Sequence, residues 1–179
     1  DRPLLLFFGY VRAYKGLDLL IDALDRLRAR HPAVQLVVAG EFYEDERAYR
    51  EQIARLGLES RVHLRAGYVP DGDVPLLFSA CDAVVQPYRT ATQSGVAQVA
   101  YHFGRPMVLT DVGGLSEIVP HDEAGLVVAP GDVGALATAL ERLYEPGTLE
   151  RLQRGVVARR TLFSWERLAE AIEDLTISH

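Results

Sequence analysis

Five short runs, Leu4–Tyr10, Val34–Phe42, Val62–Tyr68, Ala83–Tyr88 and Pro106–Thr110, punctuate the chain, and Gly125–Ala129 forms a sixth. Each is rich in β-branched or aromatic residues and bounded by turn residues, so each is predicted to be a strand. The runs read as continuously apolar rather than alternating, which is the pattern of parallel strands covered on both faces. Between them the apolar spacing becomes helical, as in Leu20, Leu24 and Leu27 after the first run and Ile53 with Leu56 after the second. Strand and helix in alternation predict right-handed crossovers and an α/β doubly wound parallel sheet of about six strands. Ligands of such a sheet sit at the carboxyl ends of the strands. After Gly131 the pattern is helical to the end, over about 132–179. Leu136, Leu140 and Leu143 form one stripe, Leu149, Leu152 and Val156 another, and Pro146–Gly147 parts them. A last helix is predicted to start at the N-cap Ser164 and to carry Trp165, Leu168, Ile172 and Leu175 on one face.

Composition narrows the class. A length of 179 residues with 49% hydrophobic and 25% charged residues is that of one soluble domain with a single well-sized core. No apolar stretch approaches the roughly 20 residues that span a bilayer, and the opening Asp1-Arg2-Pro3 has no signal-peptide pattern. Cys81 is the lone cysteine, which excludes an intramolecular disulfide and a thiolate zinc cluster and fits a reducing cytoplasm. A net charge of −6 argues against a nucleic-acid partner but leaves a small anionic ligand open.

Three turns at predicted strand ends hold the candidate chemistry. In Gly9-Tyr10-Val11-Arg12-Ala13-Tyr14-Lys15-Gly16, two cations and two glycines lead into a helix, where amides and basic side chains can hold a diphosphate. The stretch reads equally as a turn at Gly9 with Arg12 and Lys15 as solvated charges. In Pro87–Gly95 the tip Thr92-Gln93-Ser94 opens a helix, and Gly95 lets a ligand approach the backbone. The simpler account of that tip is a polar helix cap. Thr110-Asp111-Val112-Gly113-Gly114-Leu115-Ser116-Glu117 is a third strand-to-helix turn whose glycine pair either exposes backbone to a ligand or makes a tight turn.

Together Lys15-Gly16-Leu17-Asp18-Leu19-Leu20, the Pro87-Tyr88 strand end, Gly104-Arg105-Pro106-Met107-Val108, the stretch Thr110–Val119 and Ser164-Trp165-Glu166 resemble the carboxyl-terminal domain of family-4 retaining glycosyltransferases. The order of motifs matches over essentially the whole chain. The resemblance implies one half of a GT-B fold: a single Rossmann-like domain over 1–179 that binds a nucleoside-diphosphate sugar, with the amino-terminal acceptor domain lying outside this sequence. Chemistry would occur in the cleft between the two domains, with no metal and no other cofactor. The isolated domain would be inactive or nearly so. Any membrane contact, at the inner face, would be made through the missing domain.

Carried over residue by residue, Lys15 matches the lysine that grips the donor diphosphate. The family's arginine falls on Tyr10, and Arg12 is the nearest replacement. The family's Glu-x7-Glu motif falls on Ala91 and Val99, so both carboxylates are absent, leaving Gln93, Ser94 and Gln98 as the nearby polar groups. An amide lacks the charge that favours an oxocarbenium-like transition state. The Val62–Tyr68 strand end lies where the family seats the nucleobase, which adds Tyr68. The expected donor-binding set is thus Gly9, Arg12, Lys15, Gly16, Tyr68, Thr92, Gln93, Ser94, Gly95, Gln98, Gly113 and Gly114. A divergent active branch is the preferred reading, with a GT-B sugar-nucleotide epimerase and a non-catalytic binding module as alternatives. Asp71-Gly72-Asp73 is read as a turn capping a short helix rather than a metal site, the histidines show no paired ligand spacing, and Cys81 as a small buried hydrophobe.

Overall fold

A computed structural model describes residues 2–160. Six parallel strands, β1 (Leu4–Phe8), β2 (Gln35–Gly40), β3 (Val62–Ala66), β4 (Ala83–Gln86), β5 (Met107–Thr110) and β6 (Gly125–Val128), form one sheet in the order β3-β2-β1-β4-β5-β6. All six predicted strands are present. Several stop short of their apolar runs because the chain turns into the loops at Gly9, Gly67 and Pro87. The helices are α1 (Leu17–Leu27), α2 (Arg47–Leu56), α3 (Val74–Ala80), α4 (Gly95–His102), α5 (Leu115–Ile118), α6 (Val133–Leu143) and α7 (Thr148–Arg159). The predicted final helix from Ser164 lies outside the described residues.

Period-two geometry sorts the continuous apolar runs onto two faces. Leu5, Phe7, Leu36, Val38, Val85 and Val108 pack under α1, α2 and α6, while Leu6, Ala39, Val84, Met107 and Leu109 pack under α3, α4 and α5. The central strands β1, β4 and β5 are covered on both faces and so do not alternate, but the edge strand β3 departs from the expected pattern: Val62 and Leu64 join the core while His63 and Arg65 are exposed. α1 buries Leu17, Leu20, Ile21, Leu24 and Leu27 at helical spacing, places Asp18 in its first turn and Arg26 in its last, and so also suits its own dipole. The predicted stripes of α6 and α7 likewise face inward: Leu136, Leu140, Leu143, Leu152 and Val156 are all buried. Asp132 caps α6 by accepting from the Ala135 amide at 2.9 Å.

Two cap readings need correction. Asp73 and Ser94 stand at the N-cap positions of α3 and α4, but neither side chain caps its helix. Asp73 instead pairs with Arg65 at 3.6 Å, and the Ser94 hydroxyl is engaged by Gln86. Cys81 is fully buried as expected, and burial pushes its thiol up to about 12.

Candidate functional site

Strand order reverses between β1 and β4, because the chain runs outward to β3 on one side and to β6 on the other. The loops that leave these two neighbours must diverge, and a crevice opens between them at the carboxyl edge. In this protein it is a cleft of about 750 Å³ lined by the end of β1 with the loop after it, the loop after β4, and the first turns of α4.

Close backbone approach fixes the walls. A Cβ on Gly16, which has φ +69°, would lie 2.1 Å from the Pro87 carbonyl oxygen, so only glycine lets the β1 loop pack on the β4 loop. Gly113, at φ +54°, brings the β5 loop equally close to the Ala91 carbonyl, and the Gly114 amide donates to Thr92 at 3.1 Å. Arg89 adds a clamp: its guanidinium makes a bidentate pair with Asp18 at 2.8 and 2.6 Å and donates to the Ala13 carbonyl at 2.8 Å. Burial works to raise the Asp18 carboxyl, yet the hydrogen bond and charge of Arg89, with the Asp18 and Leu19 amides, outweigh it and hold Asp18 below its ordinary value.

Of the expected donor-binding residues, Gly9, Lys15, Thr92, Gln93, Ser94 and Gly95 line the cleft. Lys15 is half-buried and projects its Nζ to 5.4 Å from the centre of the Tyr88 ring. Among the described residues it has no carboxylate partner. Burial first, and the Arg12 charge second, push its pKa below the usual lysine value. An ammonium so placed has already lost part of its hydration and gains most from an incoming anion. Opposite it, α4 begins with amides that have no intrahelical acceptor and no side-chain cap, and Gly95 has open space where a side chain would stand.

The remaining expected residues stand elsewhere. Gly16, Gly113 and Gly114 serve loop packing behind the cleft wall. Arg12 lies outside the lining, with its guanidinium 4.0 Å from the centre of the Tyr43 ring. A short parallel bridge between Val11 and Phe42 holds the loop after β1 to the loop after β2, on which Tyr43 stands. Tyr68 is 71% exposed and donates to Asp71 at 3.3 Å. Gln98 is exposed on α4 and does not reach the lining, which Val96 and Val99 supply from that helix. Both Ala91 and Val99, the positions without the motif glutamates, line the cleft. The wall therefore carries one ammonium, several hydroxyls and an amide, and no carboxylate.

Sequence reasoning missed Gln86. This last residue of β4 is buried to 2% exposure, and its Nε2 donates to Ser94 Oγ at 2.8 Å and to Tyr88 OH at 3.1 Å. The signal was present: a single amide at the end of Ala83-Val84-Val85, where burial obliges it to find partners. Thr110, also buried, donates to the Tyr88 carbonyl at 2.5 Å and ties the end of β5 to the same loop. Among the described residues no group of three His, Cys, Asp or Glu could hold a metal ion.

Comparison with known proteins agrees with this geometry. Glycogen synthase of Mycobacterium tuberculosis is 32% identical over 169 residues, which cover 93% of this chain and 40% of that enzyme. Mannosylfructose-phosphate synthase of Agrobacterium fabrum is 32% identical over 185 residues, covering 96% of this chain and 40% of that protein. The chain thus spans well under half the length of these curated relatives. Among solved structures, HepE of Anabaena, in complex with UDP and glucose, superposes with a TM-score of 0.84 at 27% identity over 99% of this chain and 49% of that one. Sucrose-phosphate synthase of Thermosynechococcus elongatus gives 0.82 at 28% identity, over 99% of this chain and 45% of that one. The family model of glycosyl transferases group 1 matches residues 2–146, a span that takes in every strand and the whole of the cleft, and the chain belongs to that family.

Proposed function

We propose that this chain binds the donor of a glycosyltransferase, a nucleoside-diphosphate sugar, and that the protein it belongs to transfers the glycosyl unit to an acceptor with retention of configuration. The observation that carries the reading is Lys15: a half-buried ammonium without a carboxylate partner among the described residues, facing the start of α4 across the crevice between β1 and β4. That arrangement suits a diphosphate, whose charge offsets the lost hydration of the ammonium and whose oxygens accept from the helix amides. The hydroxyls of Thr90 and Thr92 and the Gln93 amide supply neutral contacts for a sugar. The complexes of HepE with UDP and with UDP-glucose support the ligand class. In this reading the acceptor is held by a second domain, which accounts for the relatives' greater length, and no metal takes part.

A second reading, a binding module without turnover, is favoured by the absence of any carboxylate in the lining, Ala91 and Val99 included. Product analysis separates the readings. The full-length protein, given a nucleoside-diphosphate sugar and candidate acceptors, is expected to form a new glycosidic bond whose anomeric configuration matches the donor. An isomerised free donor would point to an epimerase, and donor binding without any product over a broad acceptor panel would favour the binding module. This chain alone is expected to show little or no transfer.

A further inference from the structure

Gln86 lies beneath the cleft and touches two of its walls. Its Nε2 donates to both Ser94 Oγ and Tyr88 OH, while its Oε1 is buried with no hydrogen-bond partner among the described residues. A strand position that follows Val84 and Val85 needs no amide for packing, and the orphan acceptor is a cost that packing alone does not explain. Because the amide occupies a lone pair on each hydroxyl, neither O–H hydrogen can point back at Gln86. Each hydroxyl hydrogen is therefore left for a partner other than Gln86. Both residues line the cleft, and the Tyr88 ring is the one the Lys15 ammonium lies over.

We propose that Gln86 is a positioning residue that fixes the Tyr88–Ser94 hydroxyl pair as a hydrogen-bond donor toward the cleft, so that this wall recognises the anionic diphosphate of the ligand. The proposal rests on the donor-binding reading above. A hydroxyl free to rotate would serve an acceptor or a donor equally. One held by Gln86 is committed to an acceptor, and phosphate oxygens are acceptors only.

The test is titration calorimetry of the chain with UDP, GDP and ADP and with the matching nucleosides, for wild type, Gln86→Glu, Gln86→Met, Ser94→Ala and the double variant Gln86→Glu/Ser94→Ala. A carboxylate at position 86 accepts only and draws the hydroxyl hydrogens inward. Gln86→Glu is therefore expected to weaken binding of the best nucleoside diphosphate by about tenfold or more, the scale of a lost hydrogen bond to a charged group. Gln86→Met, which frees the hydroxyls, should lose less, and nucleoside affinity should stay within about twofold in both. In the Ser94→Ala background the further effect of Gln86→Glu should shrink severalfold, because the group it reorients is gone. Simple repulsion by the new carboxylate would survive that background and would overturn the proposal. Equal losses for nucleoside and diphosphate, or unchanged diphosphate affinity in Gln86→Met and Gln86→Glu, would overturn it too. A folded wild type that binds none of the three diphosphates would overturn the donor-binding reading, and the role of Gln86 with it.

Discussion

Lys15 and Arg12 are neighbouring cations on one loop, yet the structure gives them different surroundings. Lys15 reaches into the cleft and loses hydration, whereas Arg12 lies over Tyr43 outside it. Lys15→Ala should therefore weaken nucleoside-diphosphate binding by roughly tenfold to a hundredfold, the equivalent of one charge-assisted contact. The same change should barely alter nucleoside binding, and Arg12→Ala should cost less than Lys15→Ala; calorimetric titration measures all three. Asp18 bears on stability rather than on ligand. Its folded pKa is depressed, so its pair with Arg89 contributes fully above the unfolded carboxylate value, about 3.9, and is lost as pH falls through the lower folded value. Asp18→Asn should lower the thermal midpoint at neutral pH and flatten its decline below about pH 4. An unchanged acid slope in the variant would contradict this. Lys15 and the Thr92-Gln93-Ser94 tip were legible because charge and turn chemistry show in residue identity. Gln86 and the Arg89–Asp18 clamp were not, since their meaning depends on partners distant in sequence that only the closed loops bring together.

Elements were more legible than sites because their signal is repeated. The central apolar runs became strands buried on two faces, the edge strand β3 kept an exposed face at His63 and Arg65, and the stripes of α1 and α6 found the core. What the pattern could not show is where backbones meet. Gly155 sits inside α7, where intrinsic helix preference favours alanine by about 1 kcal/mol. A Cβ there, however, would lie 1.8 Å from the carbonyl oxygen of Glu123, on the loop before β6. The clash decides the sign, because overpacking against backbone costs typically about 1–3 kcal/mol. Gly155→Ala is thus expected to lower the urea midpoint, and a stabilised variant would show that α7 packs more loosely than the structure gives. The residues that end the strands are a second example. Gly9, Gly67 and Pro87 close the apolar runs two residues early, and sequence hydrophobicity alone does not register a backbone turn.

At the scale of the molecule, a net charge of −6 and a cleft without carboxylates are complementary facts. The surface as a whole repels anions, so affinity for a diphosphate must come from the local field of Lys15 and the start of α4 rather than from general attraction. Binding should consequently be specific to the folded chain. A ligand that binds only the folded state stabilises it by about 2.7 kcal/mol at a hundredfold excess over its dissociation constant. The cleft exists only because strand order reverses between β1 and β4, so this stabilisation belongs to the whole sheet and not to one loop. The most direct measurement is a thermal-shift and calorimetric comparison of wild type and Lys15→Ala across UDP, GDP and ADP. The account predicts that at least one diphosphate raises the wild-type midpoint by several degrees, on the scale expected for about 2–3 kcal/mol in a chain of this size, and that Lys15→Ala removes most of the shift. It would be contradicted if Lys15→Ala kept the full shift and affinity, or if no nucleoside diphosphate bound the folded wild type.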